Sequence, residues 1–409
     1  MANYGGEFHG ENLGGGNTYR ERELKNFSEK ENKRRGPIDL PFLVLTIIIL
    51  TIGVIMVLSA SFARAYYASG DPTKYFVRQL VFAVSGVALM ILASRMPITF
   101  IRRMSMPLLL ASIVLLALVP IIGVEENGAQ RWINLGITTF QPSEVAKAAV
   151  ILSFAHMICI FKDKMKTFKY GVLPFAVILV VIVGLLVLEP HLSASIIIIA
   201  VGAIMMFIGG TRIWWFIGGG AAVGAAGWLA ISKLGYAANR IAAWQNPFDF
   251  YETTGYQTIQ SLYAIGSGGL LGMGLGQGRQ KHLYLPEEHN DFIFSVVCEE
   301  LGFIGALLII ILFALLIIRG YWIALHARDK YSSLITTGIT SLLALQVFLN
   351  IAVVTNLIPC TGISLPFFSY GGTALWIQLV EMGIILSVSR DIPLKKKEDI
   401  EVKKGKGGK

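Results

Sequence analysis

The sequence predicts an all-α, polytopic membrane protein, and three observations carry that prediction. Hydrophobic residues make up 54% of the 409 and charged residues only 15%, whereas soluble domains carry about 25% charged residues. The mean hydropathy is +0.63. The apolar residues gather into about ten stretches, each near the roughly 20 residues needed to cross a bilayer. They fall at approximately 40–60, 75–94, 106–124, 142–161, 170–188, 192–209, 211–231, 290–318, 332–357 and 367–388. Lipid offers no water to unpaired backbone groups, so each stretch is expected to be a helix.

The flanks divide the chain into three parts. Residues 1–37 are polar, Gly-rich and without apolar periodicity, and read as a disordered cytoplasmic tail. The apolar run that starts near Leu40 is too long for a signal peptide, so the first helix is expected to be retained. Residues 38–390 form the ten-helix region, and 391–409 a basic cytoplasmic tail.

Orientation follows from Lys and Arg. Arg95, Arg102 and Arg103 lie in one connection, Lys162, Lys164, Lys166 and Lys169 in another, Arg319, Arg328 and Lys330 in a third, and Lys395, Lys396, Lys397, Lys403 and Lys404 in the tail. With the helix count above, all fall on one side, which places both termini in the cytoplasm. The same placement explains the net charge of +9 as an orientation signal and leaves no nucleic-acid partner. The other side receives Glu125 to Phe140, Glu189 to His191, a large loop at about 232–289 between helices 7 and 8, and Pro359 to Tyr370. Within the large loop, Tyr256 to Ile265 has the pattern of an amphipathic helix lying on the membrane surface. No internal repeat is evident, which weighs against many secondary transporters. Cys159, Cys298 and Cys360 form no CxxC pair, so no zinc or redox site is expected.

Three polar clusters could carry chemistry. Asp291 stands at the mouth of the eighth helix, after Pro286-Glu287-Glu288-His289-Asn290. Its ordinary reading is a helix cap; its functional reading is a carboxylate facing a half-buried cavity. Glu299 and Glu300 lie about two turns deeper, where an acid in lipid faces a polar cavity or a partner on another helix. The second cluster is Gly128-Ala129-Gln130-Arg131-Trp132-Ile133 with Gln141-Pro142-Ser143-Glu144-Val145-Ala146-Lys147. Glu144 and Lys147 are three apart and share a helix face, so they either pair or present Lys147 to an anionic headgroup. Arg131 and Trp132 are candidates for the same headgroup or interfacial anchors. The third cluster is Pro359 to Gly372, whose prolines and glycines forbid a continuous helix. A tightly folded outer loop fits, in which Ser369 and Tyr370 donate to a sugar or phosphate, or only brace the loop. The glycine run Gly266 to Gly278 has no strand–helix context for a dinucleotide site.

Taken together, these clusters resemble the family that includes FtsW, RodA and SpoVE. The matching pieces are GAQRWI at 128–133, QPSEVAK at 141–147, the long run from Gly255 to Gly305, and TGISLPFFSYGG at 361–372. The run HNDFIFSVVCEELGFIG is similar to the FtsW and SpoVE branch. The resemblance covers about 40–388 and implies ten spanning helices. It also implies a peptidoglycan glycosyltransferase that polymerises lipid II, a disaccharide-pentapeptide on undecaprenyl pyrophosphate, at the outer face of the bacterial cytoplasmic membrane, in cell division. It implies a single-pass class B penicillin-binding protein, a transpeptidase, as partner, alongside other divisome membrane proteins. The family's essential Asp falls on Asp291 and its paired Glu and Lys on Glu144 and Lys147. Family members often carry an Asp after the proline that follows the fifth helix; here the loop reads Glu189-Pro190-His191, and His191 is assigned no role.

The expected site is therefore Asp291 as general base, with Glu144, Lys147, Arg131, Glu299 and Ser369 binding substrate. The sequence declares no cofactor. A divalent cation, magnesium or manganese, would suit a pyrophosphate leaving group, although no ligand spacing declares one. Two other classes stand beside this reading: a flippase for the same lipid, and a non-catalytic division scaffold whose charged tails dock partners.

Overall fold

The structure, a computed structural model, describes residues 36–126, 129–134, 136, 138–189, 191–233, 241–253 and 255–392. The two predicted tails lie almost wholly outside the described residues, as do Gly128, Pro190 and 234–240 of the large loop. In chain order the principal helices are α1 (Leu40–Ser69), α2 (Lys74–Arg95), α3 (Ile98–Ile122), α4 (Pro142–Phe161), α5 (Leu173–Leu188), α6 (Leu192–Ile208), α7 (Ile213–Lys233), α8 (Tyr256–Gly268), α9 (Ile293–Leu325), α10 (Lys330–Val354) and α11 (Gly372–Ser389). Among the described residues eight helices are long and apolar enough to span a membrane: α1–α5 and α9–α11, counting the short helical turns joined to α4 and α5. The apolar α6 is 17 residues long, and α6 and α7 stand where the sequence places its sixth and seventh spans.

Local chemistry sets the helix ends. Asp39 caps α1 by accepting from Phe42 N at 3.0 Å, Pro41 sits in the first turn, and Gly70 closes the helix at φ 73°. Such a left-handed closing residue favours glycine. The Asp39 carboxylate also takes both Nε (3.0 Å) and NH2 (2.6 Å) of Arg319, tying α1 to α9. Pro142 opens α4, where its missing N–H leaves no bond unmade.

Burial sorts the helices into a centre and a lipid-facing ring. The apolar windows of α4 and α10 are 67% buried and that of α11 72%, against 22–28% for α2, α3, α5 and α9. Around α4 and α10 the core packs Ile151, Phe154, Val201, Met205, Ile335 and Ile339. Alanine and glycine allow close approach: Ala146, Ala149 and Ala155 of α4 are fully buried, as helix contacts in lipid require.

Two constructions are not legible in the sequence. Residues expected as a loop form an antiparallel three-stranded sheet, β1 (Val124–Glu126), β2 (Ala129–Asn134) and β3 (Thr139–Phe140), with β2 central. The second is a break in α9. Gly302, at φ 68° and ψ −170°, is non-helical, a conformation essentially confined to glycine. The backbone bonds lost there are replaced from the glycine run. Met273 N donates to Glu299 O and Gly274 N to Glu300 O, both at 3.0 Å, while Phe303 N donates to Gly269 O at 2.9 Å. A Cβ at Gly268, Gly272 or Gly302 would overlap the opposing backbone. The run is therefore glycine-rich because two backbones touch. Beyond the break, Phe303–Leu325 is about 34 Å long at 1.5 Å per residue, enough to span alone.

The predicted surface helix is present as α8, but its inner face is polar and docked. Ser261 Oγ lies 2.7 Å from Ser295 Oγ of α9 and donates to Val354 O of α10.

Candidate active site

A cavity of about 1550 Å³ opens between the start of α4, the approach to α9 and the loop before α11. Its wall includes Arg64, Arg78, Arg131, Glu144, Lys147, Glu287 and Asp291. Four of the five residues expected to bind substrate, Arg131, Glu144, Lys147 and Ser369, share this wall with Asp291; Glu299 does not.

Asp291 lies two residues before α9. The helix is capped at Phe292 with no side-chain cap bond, so the capping reading fails for Asp291. Its backbone is clamped instead. Asn350 of α10, fully buried, donates through Nδ2 to Asp291 O (2.8 Å) and Ile363 O (2.7 Å). The loop before α11 closes over it: Gly362 has φ 67°, and a Cβ there would stand 3.0 Å from Asp291 Oδ2. Asp291 is a partly exposed residue that lines the cavity. Burial first, then the neighbouring Glu287 charge, push its pKa up to about 6 against the pull of Arg131 and His289.

Two aromatic-lined braces hold that loop. Tyr370 N donates to His289 O at 2.9 Å, and the rings of Tyr75, His289 and Tyr370 meet at 4.9–5.8 Å. Ser369 Oγ donates to Asn290 O at 2.8 Å and accepts from Leu365 N at 2.7 Å. Its single hydroxyl proton is thus committed to the loop, which makes bracing its visible role.

Glu144 and Lys147 are both buried and pair at 2.8 Å in the first turns of α4. Glu144 also lies near the free N–H groups of the helix start, where negative charge is favoured. Glu381 of α11, a buried acid overlooked in the sequence, lies close enough to interact electrostatically with both. Its signal was available: an acid inside an apolar span is expensive and seldom idle.

Arg131 enters from β2. Strand alternation sends Arg131 and Ile133 to one side of the sheet and Gln130 and Trp132 to the other. Arg131 Nε donates to Glu189 O at 3.4 Å. Beside it, burial raises the Glu189 carboxyl to about 7 despite Arg131. Burial, then Arg131 and Lys147, lower His191 to about 3, so its ring is neutral.

Glu299 and Glu300 answer to a different purpose. Glu299 accepts from Arg279 N (2.8 Å) and Gln280 N (3.2 Å). Glu300 takes Lys281 Nζ at 2.6 Å and Ser59 Oγ at 2.6 and 2.8 Å. Both are fully buried fasteners of the loop before α9, and the substrate-binding expectation for Glu299 has no support in its position. Among the described residues no group of three or more His, Cys, Asp or Glu is arranged to hold a metal ion.

The comparisons with known proteins agree with this architecture. The family described as FtsW, RodA and SpoVE cell cycle proteins matches residues 40–393. The chain belongs to that family. It is 41% identical over 361 residues to stage V sporulation protein E of Bacillus subtilis (strain 168), covering 88% of this chain and 98% of that protein. A probable peptidoglycan glycosyltransferase FtsW of Trichlorobacter lovleyi is 40% identical over 363 residues, covering 88% and 95%. Among solved structures, one chain from a study of polymerization and crosslinking by a peptidoglycan synthase complex superposes with a TM-score of 0.74 at 28% identity, covering 88% and 99%. The rod shape determining protein RodA of Thermus thermophilus gives 0.64 at 28% identity, covering 88% and 98%. The helical membrane fold and the FtsW and SpoVE likeness expected from the motifs are thus both present.

Proposed function

We propose that this chain is a peptidoglycan glycosyltransferase that polymerises lipid II at the outer face of the cytoplasmic membrane. The observation that carries the reading is Asp291: a clamped, partly exposed residue on the wall of a large cavity, its carboxyl shifted to about 6 and so suited to proton transfer near neutrality. Asp291 removes the proton from the acceptor sugar hydroxyl. That oxygen bonds to the anomeric carbon of a second lipid-linked sugar, and the bond from that carbon to the pyrophosphate oxygen breaks. The proton stays on Asp291 and the electron pair leaves with the pyrophosphate. Lys147 and Arg131 offset the leaving group's charge, and the remaining task is positioning.

Relatives named as peptidoglycan glycosyltransferases at 40% identity support the chemistry. Likeness to a chain of a peptidoglycan synthase complex supports a class B penicillin-binding protein as partner, with other divisome membrane proteins beside it. The topology belongs to the same proposal: ten spans, α1–α7 and α9–α11, with residues 1–37 and 391–409 cytoplasmic. On this topology a membrane-impermeant maleimide added to intact cells labels a variant retaining only Cys360, which lines the cavity, and leaves one retaining only Cys159 unlabelled. The reverse pattern inverts the topology.

The cavity's volume and its buried Glu144–Lys147 pair also suit a flippase for the same lipid. Purified protein in detergent with lipid II separates the two readings, because a flippase makes no polymer there. Polymer from the native chain, and none from a folded Asp291→Asn variant, is the expected result. Full activity of that variant removes Asp291 from the mechanism.

A further inference from the structure

Some polar side chains on the cavity wall are engaged by the protein: Gln378 Oε1 accepts from Phe367 N, and Ser193 Oγ donates to Thr361 O. Others are not, Thr361 Oγ1 among them. Of these, His191 and Gln346 are 7% and 3% exposed and have no side-chain hydrogen-bond partner among the described residues. Burying such a group without a partner costs about 1–3 kcal/mol, and packing a Leu in its place would avoid that cost.

Both groups adjoin the Asp291 clamp. Gln346 lies one turn before Asn350 on α10, on the same helix face, and Asn350 holds Asp291 O and Ile363 O. His191 precedes α6 by one residue, and Ser193 two positions on bonds Thr361, the neighbour of the Gly362 that abuts Asp291. They reach the site from two different elements, α10 and the α5–α6 turn.

We propose that His191 and Gln346 form a neutral hydrogen-bonding subsite for the hydroxyl and acetamido groups of the sugar presented to Asp291. This rests on the glycosyltransferase reading and adds to it which groups recognise the sugar rather than the pyrophosphate. Neither group offers a phosphate a charge. The Gln346 amide is neutral by nature, and His191 is kept neutral by burial and by the nearby Arg131 and Lys147. Sugar hydroxyls and acetamido groups need both donors and acceptors. An amide supplies one of each kind, and an imidazole whose Nδ1 is unpartnered is free to choose its tautomer.

The test measures binding of two probes to the purified full-length chain: lipid II, and undecaprenyl pyrophosphate, which lacks the sugar. His191→Leu and Gln346→Leu each weaken lipid II binding by about tenfold, the value of one good hydrogen bond. Binding of undecaprenyl pyrophosphate stays within about twofold. The Tm of each variant stays level or rises, since an unpartnered buried polar group has been removed, and His191→Gln recovers most of the lipid II affinity. Equal losses for both probes, no loss for either, or a fall in Tm accompanying the loss overturns the subsite. If the native chain makes no polymer while the two probes still separate, the polymerase reading falls and the subsite stands. If polymer forms and the probes do not separate, the subsite falls alone.

Discussion

Two acidic regions lie within ten residues of each other at the start of α9, and they are built in opposite ways. Glu299 and Glu300 are fully buried, yet each carboxylate is met by backbone N–H groups or by Lys281 and Ser59. Asp291 is less buried, yet its carboxyl is set against Gly362 and near Glu287, and its pKa rises to about 6. Burial alone therefore does not separate a fastener from a reactive group; the degree of satisfaction does. The satisfied pair holds the loop before α9 to the helix, and the Asp291 carboxyl stands on the cavity wall.

The sharpest way to break this comparison is to neutralise one acid in each region. Asp291→Asn is expected to lower turnover by about 10²–10⁴-fold, the share of a general base, while Tm holds or rises. The sign follows from the raised pKa: ionising Asp291 disfavours the fold, so its contribution to stability declines as pH climbs from the unfolded value through about 6. Activity runs the other way, because the base must be ionised, and kcat/KM falls as pH drops below about 6. Glu300→Gln should invert the pattern. It leaves the Lys281 ammonium buried at 2% exposure without a countercharge, at a cost of about 3–5 kcal/mol. Thermal unfolding of the two variants side by side decides it, and a larger loss of Tm in Asp291→Asn would refute the distinction.

Gly302→Ala tests the joint between the two regions. Alanine must enter a backbone conformation that costs about 1–3 kcal/mol, and its Cβ meets Gly272 N. The expected loss is a few kcal/mol, with Asp291 chemistry surviving in the molecules that fold. Restored stability in Gly302→Ala would mean that the break is dispensable.

How much of this was legible depended on range. Pro142 at a helix start and Glu144–Lys147 on one face are set by neighbours within a turn or two and are found as the sequence predicts; of the ten apolar stretches, eight are found among the described residues as helices long and apolar enough to span. The break at Gly302 was not legible, because its cause lies in residues 268–274, a distant backbone that replaces the missing bonds. Glu299 was misread for a related reason: an acid in an apolar run signals a polar partner, and the partner is the folded-back N–H pair of Arg279 and Gln280 rather than a ligand. Gln346 went unnoticed because a single amide in an apolar helix looks like a satisfied core residue until its empty surroundings are known.

Between the two extremes stands Arg64–Glu288, which sharpens the comparison with the smallest expected effect. Glu288 is fully buried, whereas the Arg64 side chain is 32% exposed at the cavity, and the pair is bidentate at 2.8 and 2.9 Å. Burial would raise the Glu288 pKa, but the bonds from His289 and Arg64 win and hold it below the ordinary value. A lowered carboxylate pKa contributes stability above the unfolded value of 4.5 and loses it as pH falls through the folded one. Arg64→Lys keeps the charge and loses the fork, so about 1 kcal/mol or less should disappear at neutral pH. The deficit should shrink in acid, where Glu288 is protonated in native and variant chains alike. A deficit that stays constant down to that range would assign Arg64 a packing role instead of an ionic one.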